Sequence, residues 1–218
     1  MKRALYVCFA TLFTFSCQVS EGEWSDVKEQ LTDVRDKEQK YRSVMDSVGQ
    51  TEGWQSKQIE ILWAKQKVLD SLNLMLVNRV IDRFGFPSKD KIGDLTETIF
   101  SVLQNDKNMA DYYELIVGAG KKGDLKMIDV APYQDRVLLA RRVPQEYGTQ
   151  VWIDYKTDPK TGERYDSLYL WEVRDPAHVN ERRLAAGLDS LETALRRFNI
   201  DPKTGYLIRR QPAGRVGK

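Results

Sequence analysis

The sequence predicts a mainly α fold of the α+β kind: a compact helical domain around one long amphipathic helix, with one β-hairpin near residues 150–173. Three observations carry that reading. Ile59, Leu62, Trp63, Leu69, Leu72, Leu76, Val77, Val80, Ile81 and Phe84 recur at three- and four-residue steps, the period of a helix with one apolar face. Gln150–Tyr155 and Tyr165–Val173 are β-branched and aromatic runs, separated by a turn carrying Pro and Gly between Thr157 and Glu163. Apolar residues make up 41% of the 218, enough to bury a core, and 14 Gly, 7 Pro and 2 Cys exclude collagen and disulfide-stapled miniproteins.

Taken in order, residues 1–16 read as a signal peptide. Lys2 and Arg3 precede the apolar run Ala4 to Phe15, and Ser16-Cys17 closes it. Such a run rises about 18 Å as a helix, short of the roughly 30 Å hydrocarbon core of a bilayer. Cleavage before Cys17 would leave that residue lipidated and, because Cys8 departs with the signal, would leave no free thiol. Residues 17–23 then form a lipid anchor and polar tether. The mature chain, having lost Lys2 and Arg3, is neutral, which excludes a strong electrostatic case for a nucleic-acid partner.

A single helical domain with the hairpin is expected over 24–200. Trp24 to Val48 is polar and helix-favouring, with Gly49 to Gly53 as its break. The long helix follows at 54–84, stopped by Gly85 and Pro87. Asp90 to Asn105 predicts a third helix and Asn108 to Val117 a fourth, ending in the turn GAGKKG. Asp129 is positioned to cap a fifth, with Pro132 in its first turn and Pro144 beyond its end. After the hairpin, Asp175-Pro176 opens a helix to Ala186, and Asp189 with Glu192 forms a capping box for the last one. DPKTG occurs at 158–162 and 201–205 as two similar turns, lacking the ligands of a calcium loop. Residues 201–218 are a turn and a basic tail.

The chemistry is narrowed by absence. One histidine, His178, excludes Ser-His-Asp and multi-histidine metal sites, and no phosphate-cradling glycine motif is present. No cofactor or metal is expected. What stands out is polar residues where the pattern expects apolar ones: Gln39 and Arg42, Asp70 and Asn73, Gln104, Asp135-Arg136, Tyr147-Gly148-Thr149-Gln150, and Arg182-Arg183. Buried polar groups are costly unless paired, so at least four of Arg42, Asp70, Asn73, Asp135, Arg136, Tyr147, Gln150 and Arg182 are expected to meet in one contiguous cluster, the arginines neutralising the aspartates.

Those residues lie within EQKYR (38–42), DSLN (70–73), FGFP (84–87), QDRVLL (134–139), QEYGTQ (145–150) and VNERRLAAGL (179–188). The set resembles the bacterial family called domain of unknown function 6624, over roughly residues 36–195. The resemblance implies a mostly helical domain and no established activity. Many relatives carry His where this chain has Asn105. Two readings follow. In the favoured one the chain is a lipoprotein of the bacterial cell envelope, at the periplasmic face or cell surface. It would be a ligand-binding or structural module, its partners the membrane through acylated Cys17 and a small-molecule or envelope ligand. The other is a hydrolase or lyase with Asp70 or Asp135 as acid or base, Tyr147 as proton donor, and Arg42, Arg136 or Arg182 as anion clamp.

Overall fold

The computed structural model describes residues 20–38, 40–157, 159–162 and 164–205. Residues 1–19, with the expected signal and Cys17, and Gln39, part of the first DPKTG and the tail from 206 onward lie outside the described residues. The fold is mainly α with a single two-stranded antiparallel sheet among the described residues.

Helix α1 (Glu21–Glu38) starts earlier than its apolar pattern. Ser20 and Glu23 form a reciprocal capping box: Ser20 N–H donates to Glu23 Oε2 at 2.9 Å and Glu23 N–H donates to Ser20 Oγ at 3.3 Å. Glu21–Glu23, expected in the tether, is therefore helical. The stretch read as one helix to Val48 is two, because α2 (Arg42–Glu52) begins after a break and runs through Gly49. The cause is a side chain inserted into the backbone ladder. The Glu38 carbonyl accepts from Gln66 Nε2 at 3.1 Å and from Arg42 Nη1 at 3.3 Å.

Helix α3 (Lys57–Phe84) is the expected spine. Ser56 Oγ caps its start by accepting from Ile59 N–H, and Gly85, at φ 69°, ends it by donating to the Ile81 carbonyl. Its buried seam is Ile59, Leu62, Gln66, Asn73, Val77 and Val80. Trp63 and Leu72, expected inward, are half exposed. Two apolar clusters occupy the ends of this seam. Met45 and Val48 of α2 pack on Ile59 and Leu62. Trp24, Val27, Leu31 and Val34 of α1 pack near Val77 and Val80, with the Trp24 and Phe84 ring centroids 4.9 Å apart.

The expected third helix divides at Gly93 (φ 62°) into α4 (Lys89–Ile92) and α5 (Leu95–Gln104). Helix α6 (Tyr113–Lys122) continues through the segment read as a GAGKKG turn and ends at left-handed Gly123. Gly120 is in the helix because α7 (Met127–Ala140) crosses it closely: a Cβ there would lie 2.8 Å from Met127 Sδ and 3.1 Å from Val130. Since α7 starts two residues before Asp129, Asp129 does not cap it and Pro132 lies past the first turn. Ile99, Leu103, Ile116, Val130, Tyr133 and Val137 complete the main core.

Strands β1 (Val151–Thr157) and β2 (Arg164–Leu170) pair from Val151↔Leu170 to Thr157↔Arg164. Helices α8 (Val179–Ala185) and α9 (Leu191–Arg197) follow. The cap of α9 is Ser190, whose hydroxyl accepts from Thr193 N–H at 3.2 Å, while Asp189 pairs with Arg197 instead. The second DPKTG is a turn closed by Gly205 N–H on the Asp201 carbonyl at 2.7 Å, and the Gly205 carbonyl accepts from Leu170 N–H.

The seam assignment makes a paired prediction. Truncating the fully buried Ile99 to Ala removes core packing and should lower unfolding free energy by about 3 kcal/mol. Leu72→Ala, half exposed despite its place in the sequence stripe, should change it by no more than about 0.5 kcal/mol. Urea unfolding of both variants measures the contrast.

Candidate functional site

The polar residues form two groups of different character: four of the eight, Asp135, Tyr147, Gln150 and Arg182, come together in one, while Arg42, Asp70 and Asn73 lie in the other. Asp70, Asn73 and Arg42 belong to the first, in the middle of α3. Here the seam that is apolar at both ends turns polar. Arg42 Nη2 lies 3.2 Å from both carboxylate oxygens of Asp70, and its Nη1 lies 3.4 Å from Glu38 Oε1. Gln66 Nε2 donates to Asp70 Oδ1 at 2.8 Å, and Ser101 Oγ of α5 donates to Glu38 Oε1 at 2.5 Å. Glu38 is 6% exposed, so a buried carboxylate is held by one cation and one hydroxyl.

Two buried atoms in this group have no hydrogen-bond partner, Gln66 Oε1 and Asn73 Nδ2. Turning the Gln66 amide over would not help, since its oxygen would then face the Asp70 carboxylate and the Glu38 carbonyl. Asn73 is different, because it borders open space. A groove of about 700 Å³ lies between the α1–α2 corner, α3 and the end of α5, and Asn73, Asp70, Arg42, Glu38 and Ser101 line it. Its rim adds Trp63, Lys67, Asn105, Asp106 and Lys107.

The second group holds Asp135, Tyr147, Gly148, Thr149, Gln150, Arg182 and Arg183. Asp135 is fully buried on α7, and its carboxylate is filled by donors. Glu146 N–H donates to Oδ1 at 2.8 Å, Tyr147 N–H to Oδ1 at 3.1 Å, and Thr149 N–H and Oγ1 to Oδ2, both at 2.9 Å. The expected arginine partner is absent from this list. Backbone N–H dipoles aimed at one point do the neutralising instead. Gln145, also fully buried, donates through Nε2 to the Gln150 and Trp171 carbonyls and accepts from Gln150 N–H. Gln150 Nε2 reaches the Pro132 carbonyl.

The arginines clamp the outside of the same turn. Arg183 Nη1 donates to the Tyr147 carbonyl at 2.6 Å and its Nε to the Asp189 carbonyl at 2.6 Å; Arg182 Nε donates to the Glu146 carbonyl at 2.9 Å. Gly148 sits at φ 67°, and a Cβ there would lie 2.8 Å from Leu191 Cδ1, so the position needs glycine on both counts. Arg136 serves neither carboxylate: its Nη2 donates to the Gln104 carbonyl at 3.0 Å and its buried Nε is unpaired. His178 lies in an exposed turn, its Nδ1 2.8 Å from Asp175 Oδ2.

Glu38, Gln66, Ser101 and Gln145 were not singled out from the sequence. Gln66 had a usable signal, because the phase set by Ile59, Leu62, Val77 and Val80 points it inward. Ser101 had none, since a serine on an amphipathic helix is unremarkable without its partner. No protein-family model, curated protein or solved structure matches this chain.

Burial is the largest influence on Asp135 and raises its pKa, against the opposing pull of the Thr149, Tyr147 and Glu146 amides. A raised folded value means the folded chain holds this proton more tightly than the unfolded chain does. Its stabilising contribution is fully present below the unfolded pKa of about 3.9 and is lost as pH rises through the folded midpoint. Carbon-detected NMR titration should therefore place the Asp135 midpoint above about 3.9, and a lower midpoint would mean that the amides outweigh burial. Asp135→Asn turns an NH₂ toward groups that are all donors and should cost about 3 kcal/mol in urea unfolding at neutral pH.

Proposed function

We propose that this chain is a ligand-binding module of the bacterial cell envelope, held to a membrane by acylated Cys17. It binds a small polar molecule, or the end of an envelope polymer, in the groove beside α3. Asn73 carries the reading: the residue lines an open groove of about 700 Å³, and its Nδ2, just behind that wall, is a buried donor with no partner. An unmade hydrogen bond at such a place costs about 1–3 kcal/mol, and a ligand oxygen toward which the Asn73 amide turned would recover it.

The charges of the groove support a ligand that is neutral or carries both signs. Glu38, Asp70 and Asp106 balance Arg42, Lys67 and Lys107. Membrane attachment rests on the lipoprotein-like signal at 1–17. Asn105, the position at which the resemblance to domain of unknown function 6624 implies a His, also lines the groove. The hydrolase or lyase reading is favoured by one contact, the 2.5 Å hydrogen bond from Ser101 to the buried Glu38 carboxylate. On that reading Glu38 or Asp70 is the base and Arg42 the clamp. It is the weaker one, because Arg42 is already engaged by both carboxylates.

Asn73→Leu separates ligand binding from structure. Removing an unpaired donor from a buried position should leave thermal stability unchanged or raise it, by up to about 1 kcal/mol. The same variant should lose any small molecule that the wild-type chain retains in native mass spectrometry after purification from an envelope extract. A variant that is destabilised and still retains the molecule would defeat the reading. Separately, Cys17→Ser should abolish fatty-acid labelling and weaken retention in the membrane fraction on cell fractionation.

A further inference from the structure

The outer face of α3 carries a second feature, independent of the groove. Ile61, Val68, Leu72 and Met75 are 47%, 61%, 51% and 54% exposed. At 100° per residue they share one azimuth with Ala64, so they form a continuous apolar stripe along the side opposite the buried seam. Scattered exposed aliphatics are ordinary, but a stripe at steps of seven, four and three is a face that something covers.

Its charges select the occupant. Lys57 lies in line with the stripe at one end and Arg79 at the other, and Lys65 flanks it. None of these three forms an ion pair among the described residues, although the Lys65 ammonium stands 5.9 Å from the centroid of the Tyr41 ring. A second copy is a poor cover. Antiparallel pairing centred on Val68 would set Lys57 against Arg79, and parallel pairing would set each cation against itself. An anionic bilayer surface satisfies both features, taking the aliphatic side chains at its acyl boundary and the cations at its phosphates. The acidic residues are outnumbered there: Glu60 projects to the flank, and Asp82, beside Arg79 at the end of the stripe, sets one negative charge against the three cations.

We infer that the outer face of α3 is a docking surface for an anionic lipid bilayer, on which the helix lies parallel to the membrane plane. The test uses the full chain with Cys8→Ser and Cys17→Ser. It carries an environment-sensitive nitrobenzoxadiazole label at Leu72→Cys or, as a control on α6, at Lys121→Cys. The apolar segment before residue 17 can hold either chain on a vesicle, so the label reads which face is down. With phosphatidylcholine vesicles containing phosphatidylglycerol, emission at position 72 should rise about threefold and shift to the blue, with little change at 121. The rise should shrink in high salt and disappear when Val68→Glu is added, circular dichroism confirming the fold. Equal responses at both positions, no response at 72, or a response without vesicles that grows with protein concentration would each overturn the inference, the last in favour of self-association.

Discussion

Gln66 is fully buried about a third of the way along α3, and the surrounding architecture follows from giving its amide nitrogen partners. Its amide nitrogen reaches the Glu38 carbonyl and the Asp70 carboxylate together. Taking the Glu38 carbonyl for a side chain ends α1 there and lets the chain turn before α2. That turn brings Arg42 between two carboxylates, and the displaced α2 leaves open space beside α3. The groove is thus a consequence of placing a polar residue in an otherwise apolar seam. An aliphatic side chain at 66 would close the seam but leave the Glu38 carbonyl and Asp70 short of a donor.

The Asp135 group meets the same requirement in the opposite way. Three backbone amides and a hydroxyl occupy its carboxylate, and Gln145 satisfies the strand entry. Arg182 and Arg183 close the turn from outside through carbonyls rather than carboxylates. Such a network ties α7, the hairpin and α8 into one body, although the hairpin itself offers little core. Every polar atom named in it is used, which is why it reads as a brace. Asn73 beside the groove is not used, which is why it reads as a contact awaiting a partner.

The long helix and the hairpin were legible in the sequence because each depends on a short-range period and on turn residues at its ends. The phase of the long helix was less so. Trp63, Leu69 and Leu72 are apolar and sit at helical spacing, yet Trp63 and Leu72 face outward while Gln66 and Asn73 face in. Hydrophobicity alone cannot assign the face when both sides of a helix carry aliphatics. The helix breaks at Glu38 and Gly93 were missed for related reasons. One is imposed by a side chain 28 residues away, and the other by a glycine that composition treats as tolerable. The Ser20–Glu23 capping box, by contrast, was readable and overlooked. For the site, the residues were legible but their partners were not. Charge counting paired aspartates with arginines, whereas backbone dipoles, which leave no mark in a sequence, hold Asp135.

Both aliphatic sides of α3 have a physical explanation once the helix is viewed down its axis. The seam faces the core, the stripe of Ile61, Val68, Leu72 and Met75 faces away, and Trp63, Lys67, Asp70 and Leu74 project from the flank between them, along the groove. With the stripe on a bilayer in the proposed orientation, that flank, about 140° round the helix axis from the stripe, would face obliquely away from the membrane. The groove mouth would then open obliquely away from the bilayer, about one helix diameter, some 10 Å, above the headgroups. A lipid anchor alone would leave the domain free to tumble on its tether. A basic, aliphatic helix face lying on the surface would instead fix which way the groove points relative to the membrane.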